Sequence, residues 1–148
     1  MPHQIHLTVA ALVPGEQGFL LVKEEDNGRI VINQPAGHVE PGEGILDAVT
    51  RETFEETGWR VKPNHLLGIS IYTSPHNQTT YYRMAFLCQA LEQDRYAVLD
   101  SDIIETLWLS ETELRARENE MRSPMVIKTL DDYCNGKRYP LEIINDYR

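Results

Sequence analysis

Gly37-His38-Val39-Glu40-Pro41-Gly42-Glu43-Gly44-Ile45-Leu46-Asp47-Ala48-Val49-Thr50-Arg51-Glu52-Thr53-Phe54-Glu55-Glu56-Thr57-Gly58-Trp59 is the stretch on which the reading of this 148-residue chain turns. Two kinds of segment meet in it. The eleven residues from Gln34 to Gly44 hold two Pro and three Gly, which predicts an irregular loop. From Ile45 the pattern changes: Leu46, Val49 and Thr53 stand at i, i+3 and i+7, one stripe of a helix. Gly58 suits the position just past a helix end, so the helix should run from Ile45 to Thr57.

The same helix carries acids. Glu52, Glu55 and Glu56 stand at i, i+3 and i+4, so their carboxylates converge on one patch. They repel one another, and they lie near the helix C-terminus, where the macrodipole disfavours negative charge. Arg51 is a single cation and cannot neutralise three acids. The bland reading is a solvated charged face, which is what helices usually carry. The sharper reading is a bound divalent cation, and an all-oxygen ligand set favours Mg²⁺, or Mn²⁺, over zinc.

Working outward, His6 to Val13 is apolar and β-rich, with a turn at Pro14–Gly18 and a strand from Phe19 to Val22. Asp26-Asn27-Gly28 is a second turn before a short strand, Ile30–Ile32. Leu66–Tyr72 and Thr80–Ala90 read as strands joined by a turn at Thr73–Asn77, and Ile103–Leu109 as another. Ser110 with Glu113 resembles a capping box opening a helix. Ser123-Pro124 opens a last helix, which Asn135-Gly136 ends. Simple βαβ alternation does not fit. The elements predict an α+β fold, a layered α/β/α sandwich with a mixed central sheet.

The length suits one domain, residues 1–148, with no repeat or linker-like tract. A net charge of −9 is repulsive to nucleic acid polymers, and it repels small polyphosphates too unless a cation intervenes. No apolar run is long enough to span a bilayer, and Met1-Pro2-His3-Gln4 lacks the positive start of a signal peptide. Cys88 and Cys134 show neither disulfide-scaffold nor metal-site spacing, so two free buried thiols in a reducing cytoplasm are expected. Nothing in the sequence specifies an oligomeric state.

Five residues separate Gly37 from Glu43, seven separate Glu43 from Arg51-Glu52, and Glu55-Glu56-Thr57-Gly58 follow after two more. This spacing resembles the signature of the Nudix hydrolases, over residues 37–59. Thr53 and Trp59 depart from it, standing where aliphatic residues are usual. Outside the box, Asn33–His38, Asp100-Ser101-Asp102, Arg122-Ser123-Pro124 and Lys137–Glu142 are similar to the bacterial NudJ phosphatase subgroup.

The resemblance implies a Mg²⁺-dependent enzyme that cleaves phosphoanhydride bonds in nucleoside di- or triphosphates or a related small organic diphosphate. The subgroup adds phosphate release and a thiamine-precursor pyrophosphate. It also implies that Glu52, Glu55 and Glu56 hold metal with the carbonyl of Ala36. Glu52 is then a candidate to activate water, with Glu43 and Arg51 bracing the loop. A further acid on a distant loop is expected, with Asp102 the first choice and Asp100 and Glu105 alternatives. A turn that merely caps a strand explains Asp102 equally well.

Arg29, His38 and Tyr82 are candidate substrate-binding residues, with Lys23, Arg83, Tyr72 and Tyr81 behind them; strand tyrosines are more often packing partners. Two rival readings stay open. One is another Nudix substrate, such as ADP-ribose, a dinucleoside polyphosphate or an oxidised nucleotide. The other is a non-catalytic nucleotide sensor, which the full set of box acids disfavours.

Overall fold

The computed structural model describes residues 5–148. Its first strand, β1 (Ile5–Leu12), shows how the layers arise. Val9 and Ala11 point to one face and Leu12 to the other, as alternation requires, and all three are fully buried. A strand buried on both faces needs cover on both.

Seven further strands complete two sheets: β2 (Pro14–Gly15), β3 (Gly18–Asp26), β4 (Arg29–Asn33), β5 (Ala36–His38), β6 (Trp59–Thr73), β7 (Thr80–Gln93) and β8 (Ile103–Leu109). The helices are α1 (Ile45–Thr57), α2 (Glu111–Ala116) and α3 (Pro124–Cys134). One sheet has the order β5-β1-β7-β6, with β1 and β7 parallel and the other pairs antiparallel. In the second, β3 pairs antiparallel with β2, β4 and β8.

Two apolar clusters occupy the two sides. Val9, Ala11 and Phe86 pack with Ala48 and Val49 of α1. Leu12, Leu21 and Ala85 pack with Leu114 of α2 and with Val126 and Leu130 of α3. Each large side chain so buried contributes about 1.5–3 kcal/mol. The sandwich with a mixed sheet is therefore the observed architecture, α1 on one face and α2 with α3 on the other.

Several boundaries differ from the sequence reading, each for a physical reason. The loop before α1 contains β5, whose three residues pair with Thr8, Val9 and Ala10, too few to show a period. Strand β6 starts at Trp59 rather than Leu66. Pro63 sits inside it, and register shifts around Arg60, Pro63 and Leu66 absorb the disruption, as bulges do. The β6–β7 turn is closed by Ser74, whose N–H donates to the carbonyl of Thr79 at 2.9 Å. The predicted capping box of α2 is present in full, and Ser123 caps α3. Cys88 is buried as expected, but Cys134, in the last turn of α3, is exposed. No described helix is long and apolar enough to cross a membrane.

Candidate active site

Helix α1 and the loop before it are tied together by one guanidinium. Arg51 donates from Nε and Nη2 to the two oxygens of Glu43, at 2.6 and 2.9 Å. Nη1 reaches Glu52 at 2.8 Å and Glu55 at 2.7 Å, and Nη2 also reaches the His38 carbonyl at 3.1 Å. The expected Glu43–Arg51 brace forms, and the same fork orders two of the helix acids. Strand β5 closes on that face: a Cβ on Gly37 would lie 2.1 Å from the Glu52 carboxyl carbon, so a larger residue there would push that carboxylate aside.

Glu56 faces inward. It is seven residues from Val49, hence on the apolar stripe, and is buried against the sheet. Its Oε1 accepts the Ala36 N–H at 2.9 Å. Burial pushes its carboxyl up to about 9, with Glu24, Glu52 and Asp100 adding to the rise and the Ala36 bond opposing it. Burial also raises Glu52, against the pull of Arg51. Glu55, held by Arg51, is the most exposed of the three.

The loop acid that joins them is Asp100. Oxygens of Glu52, Glu56 and Asp100 lie within 4.8 Å of one another. Burial raises Asp100 first, then the charges of Glu55 and Asp102. Its backbone N–H donates to the Glu55 carbonyl at 3.0 Å, and Asp94 N–H to the Gly58 carbonyl at 2.8 Å. Gly58 adopts a left-handed φ of 77°, with the Asp94 carbonyl 2.7 Å from where a Cβ would stand. Loop 94–102 thus hangs from the end of α1 by its backbone. Asp102 is exposed and lies outside the trio; its carbonyl accepts from Glu25 N–H at 3.1 Å.

This chemistry fits a divalent cation. Three carboxylates converge, the most buried is held by one backbone N–H, and every available ligand atom is oxygen.

Ala36 and Gly37, which touch Glu56 and Glu52, also line a cleft that opens toward the β6–β7 turn and the start of α3. Arg29 and His38 line it as anticipated. His38 Nε2 shares a 2.8 Å hydrogen bond with His6 Nδ1, and burial, His6 and Arg122 lower its pKa. Tyr82 is turned away. It lies in the row Leu7–Tyr82–Ile71 on the α1 side of the sheet, so alternation gives the cleft Tyr81 and Tyr72 instead. Arg83 and Arg122 line the cleft too. The parity of β7 was the signal for Arg83, since it shares a face with Tyr81; Arg122 was marked only as part of the Arg122-Ser123-Pro124 resemblance, with no role attached.

A family model described as a NUDIX domain matches residues 4–129. The chain belongs to the Nudix hydrolase family. A NUDIX hydrolase of known structure from Nitrosomonas europaea is 43% identical, with a TM-score of 0.94 over 97% of this chain and 98% of that one. Phosphatase NudJ of Escherichia coli K12 is 38% identical over 142 residues, 96% of this chain and 92% of the relative. A MutT protein from Methanosarcina mazei Go1, 22% identical with a TM-score of 0.66 over 93% of this chain and 99% of that one, shares the Nudix fold. This Nudix protein is a phosphohydrolase, acting on phosphoanhydride bonds.

Proposed function

We propose that the chain uses Mg²⁺, with Mn²⁺ as a substitute, to hydrolyse nucleoside di- or triphosphates or a related small organic diphosphate, releasing phosphate. The observation that carries this is the convergence of Glu52, Glu56 and Asp100 beside an arginine-lined cleft. Its likeness to phosphatase NudJ over most of both chains supports phosphate release.

Glu52, Glu55 and Glu56 with the Ala36 carbonyl form the proposed metal-binding set. Asp100 takes the loop-acid role for which Asp102 was the first choice. A cation held there would neutralise charge on the phosphate oxygens and lower the pKa of water. Glu52 accepts the proton of the attacking water on its carboxylate while Arg51 holds that side chain in place. The water oxygen bonds to the terminal phosphorus, the bond to the bridging oxygen breaks with its electron pair going to that oxygen on the departing organic phosphate, and the attacked group is released as phosphate. Positioning and electrostatics supply most of the acceleration.

A phosphate-release assay with Mg²⁺ across nucleotides and organic diphosphates, with and without added pyrophosphatase, tests this. Direct release is expected. Signal that depends on pyrophosphatase would replace phosphate release with pyrophosphate release, and no signal in either arm would overturn the reading.

A further inference from the structure

Arg83 sits in the middle of β7 and is only 4% exposed, yet it lines the cleft. Its hydrogen-bond partners are all neutral. Nη2 donates to Asn33 Oδ1 at 3.0 Å and Gln34 Oε1 at 2.8 Å, and Nη1 to Thr129 Oγ1 at 3.3 Å. The buried acid of this region, Glu24, is engaged by Arg122 at 2.7 Å and by the Asn33 amide at 3.4 Å. Burying a cation among neutral oxygens is costly. Burial draws Arg83 down to about 10, which leaves it charged at neutral pH.

The surroundings present acceptors to Arg83. Asn33 and Gln34 turn their carbonyl oxygens to Arg83 and their NH₂ groups away, to Glu24 and to the Val126 carbonyl. A guanidinium has five N–H groups. Three of Arg83's are engaged, and among the described residues no hydrogen bond takes the other two.

Sheet register fixes where a ligand would meet them. His38, Thr8 and Arg83 form one row across β5, β1 and β7, and Tyr81 and Tyr72 face each other in the next row. Two strand spacings put Arg83 about 10 Å from β5, which carries the groups that touch Glu52 and Glu56. A substrate with its phosphates at β5 therefore brings its organic end to Arg83 and the two tyrosines.

We infer that Arg83 is a specificity-determining residue, selecting substrates whose organic end is a planar ring edged with hydrogen-bond acceptors, a ring carbonyl foremost, lying against Tyr72 and Tyr81. The inference rests on the phosphohydrolase reading above. Both Nη2 hydrogens are taken, so the free N–H groups on Nε and Nη1 can each donate a single bond to a ring acceptor such as a purine's O6, whereas an amino group at that edge opposes donor to donor. A phosphate oxygen offers acceptor chemistry of the same kind, so the test separates ring from phosphate.

The experiment measures kcat/KM of the full chain with Mg²⁺ on pairs that differ at one ring edge: inosine against adenosine diphosphate, and uridine against cytidine diphosphate. The keto member should be favoured roughly tenfold. In Arg83→Lys that ratio should collapse to within about threefold of unity, chiefly through a rise in KM for the keto member. Equal rates in the parent protein, or a ratio that survives Arg83→Lys, overturn the inference. So does a loss in Arg83→Lys that is equal for all four diphosphates and larger for triphosphates, since that marks a phosphate contact. Calorimetric binding of the same nucleotides reads the preference without turnover. A protein that binds with the keto preference but hydrolyses nothing breaks the catalytic reading alone, and equal affinities sink the ring selection.

Discussion

Arg51, beside the acid cluster, and Arg83, in the cleft wall, use the same side chain in opposite ways. Arg51 is partly exposed and ringed by carboxylates, with Glu43, Glu52 and Glu55 all on its fork. Arg83 is buried and faces amide and hydroxyl oxygens, while the local acid is held by Arg122. At the first site the positive charge is consumed in ordering acids, and a deficit of positive charge is left for a metal. At the second site the surplus is kept for a ligand. A chain of net charge −9 can take an anion with a donor-seeking organic group only if these two roles are kept apart.

The largest effect should come from the acid cluster. Glu56→Gln is expected to lower kcat at least a hundredfold under saturating Mg²⁺, because losing a metal ligand costs several kcal/mol of transition-state stabilisation. More than about a tenth of the activity surviving would remove Glu56 from that role. The same variant probes linkage. With a folded value of about 9 against 4.5 for a free carboxyl, the folded state holds its proton longer than the unfolded one. The metal-free protein should therefore lose stability as pH rises from 4.5 toward 9. Glu56→Gln should flatten that slope, read from melting temperatures in chelator at both ends of the range.

Breaking the fork is next. Arg51→Lys keeps the charge but cannot hold Glu43, Glu52 and Glu55 together. A tenfold or greater fall in kcat is expected, with about 1–2 kcal/mol of stability lost, between the values for exposed and buried pairs. Denaturant melts and steady-state rates read both, and wild-type kcat in this variant would show that the acids order themselves.

Asp100 and Asp102 sharpen the boundary of the acid cluster. Asp100→Asn should cost roughly tenfold in kcat, and Asp102→Asn less than about threefold, a ranking that a general acid–base or ligand role predicts. The reverse order would return the loop-acid role to Asp102. The smallest effect lies outside both sites. Ser110→Ala removes the capping hydrogen bond of α2 and should lower stability by about 1 kcal/mol without touching kcat.

What could be read from the sequence divides along a similar line. The span of α1, its left-handed stop and the capping box of α2 follow from local periodicity and turn chemistry, and the structure carries them at the same residues. The acidic face was legible as spacing, but its division was not. Glu56 shares the stripe of Val49 while Glu55 stays partly exposed on the Arg51 fork, a split visible only by following the i+7 step through to the core. The exchange of Tyr82 for Tyr81 and Tyr72 comes from strand parity, which needed Met84 and Phe86 to be placed under α1 first. Asp100 and Asp102 stand in one turn with no period to separate them. Only the backbone bond from Asp100 to Glu55 does so.

That suspension has a consequence for tolerance to change. Because loop 94–102 is carried by main-chain bonds to Glu55 and Gly58, Asp100 depends little on the side chains between its anchors. Tyr96 and Val98, 95% and 96% exposed, are open to replacement. A cysteine-linked fluorophore at Val98 would ride on the same strap as Asp100 and report cation binding as it happens, a built-in place to wire the enzyme to a signal.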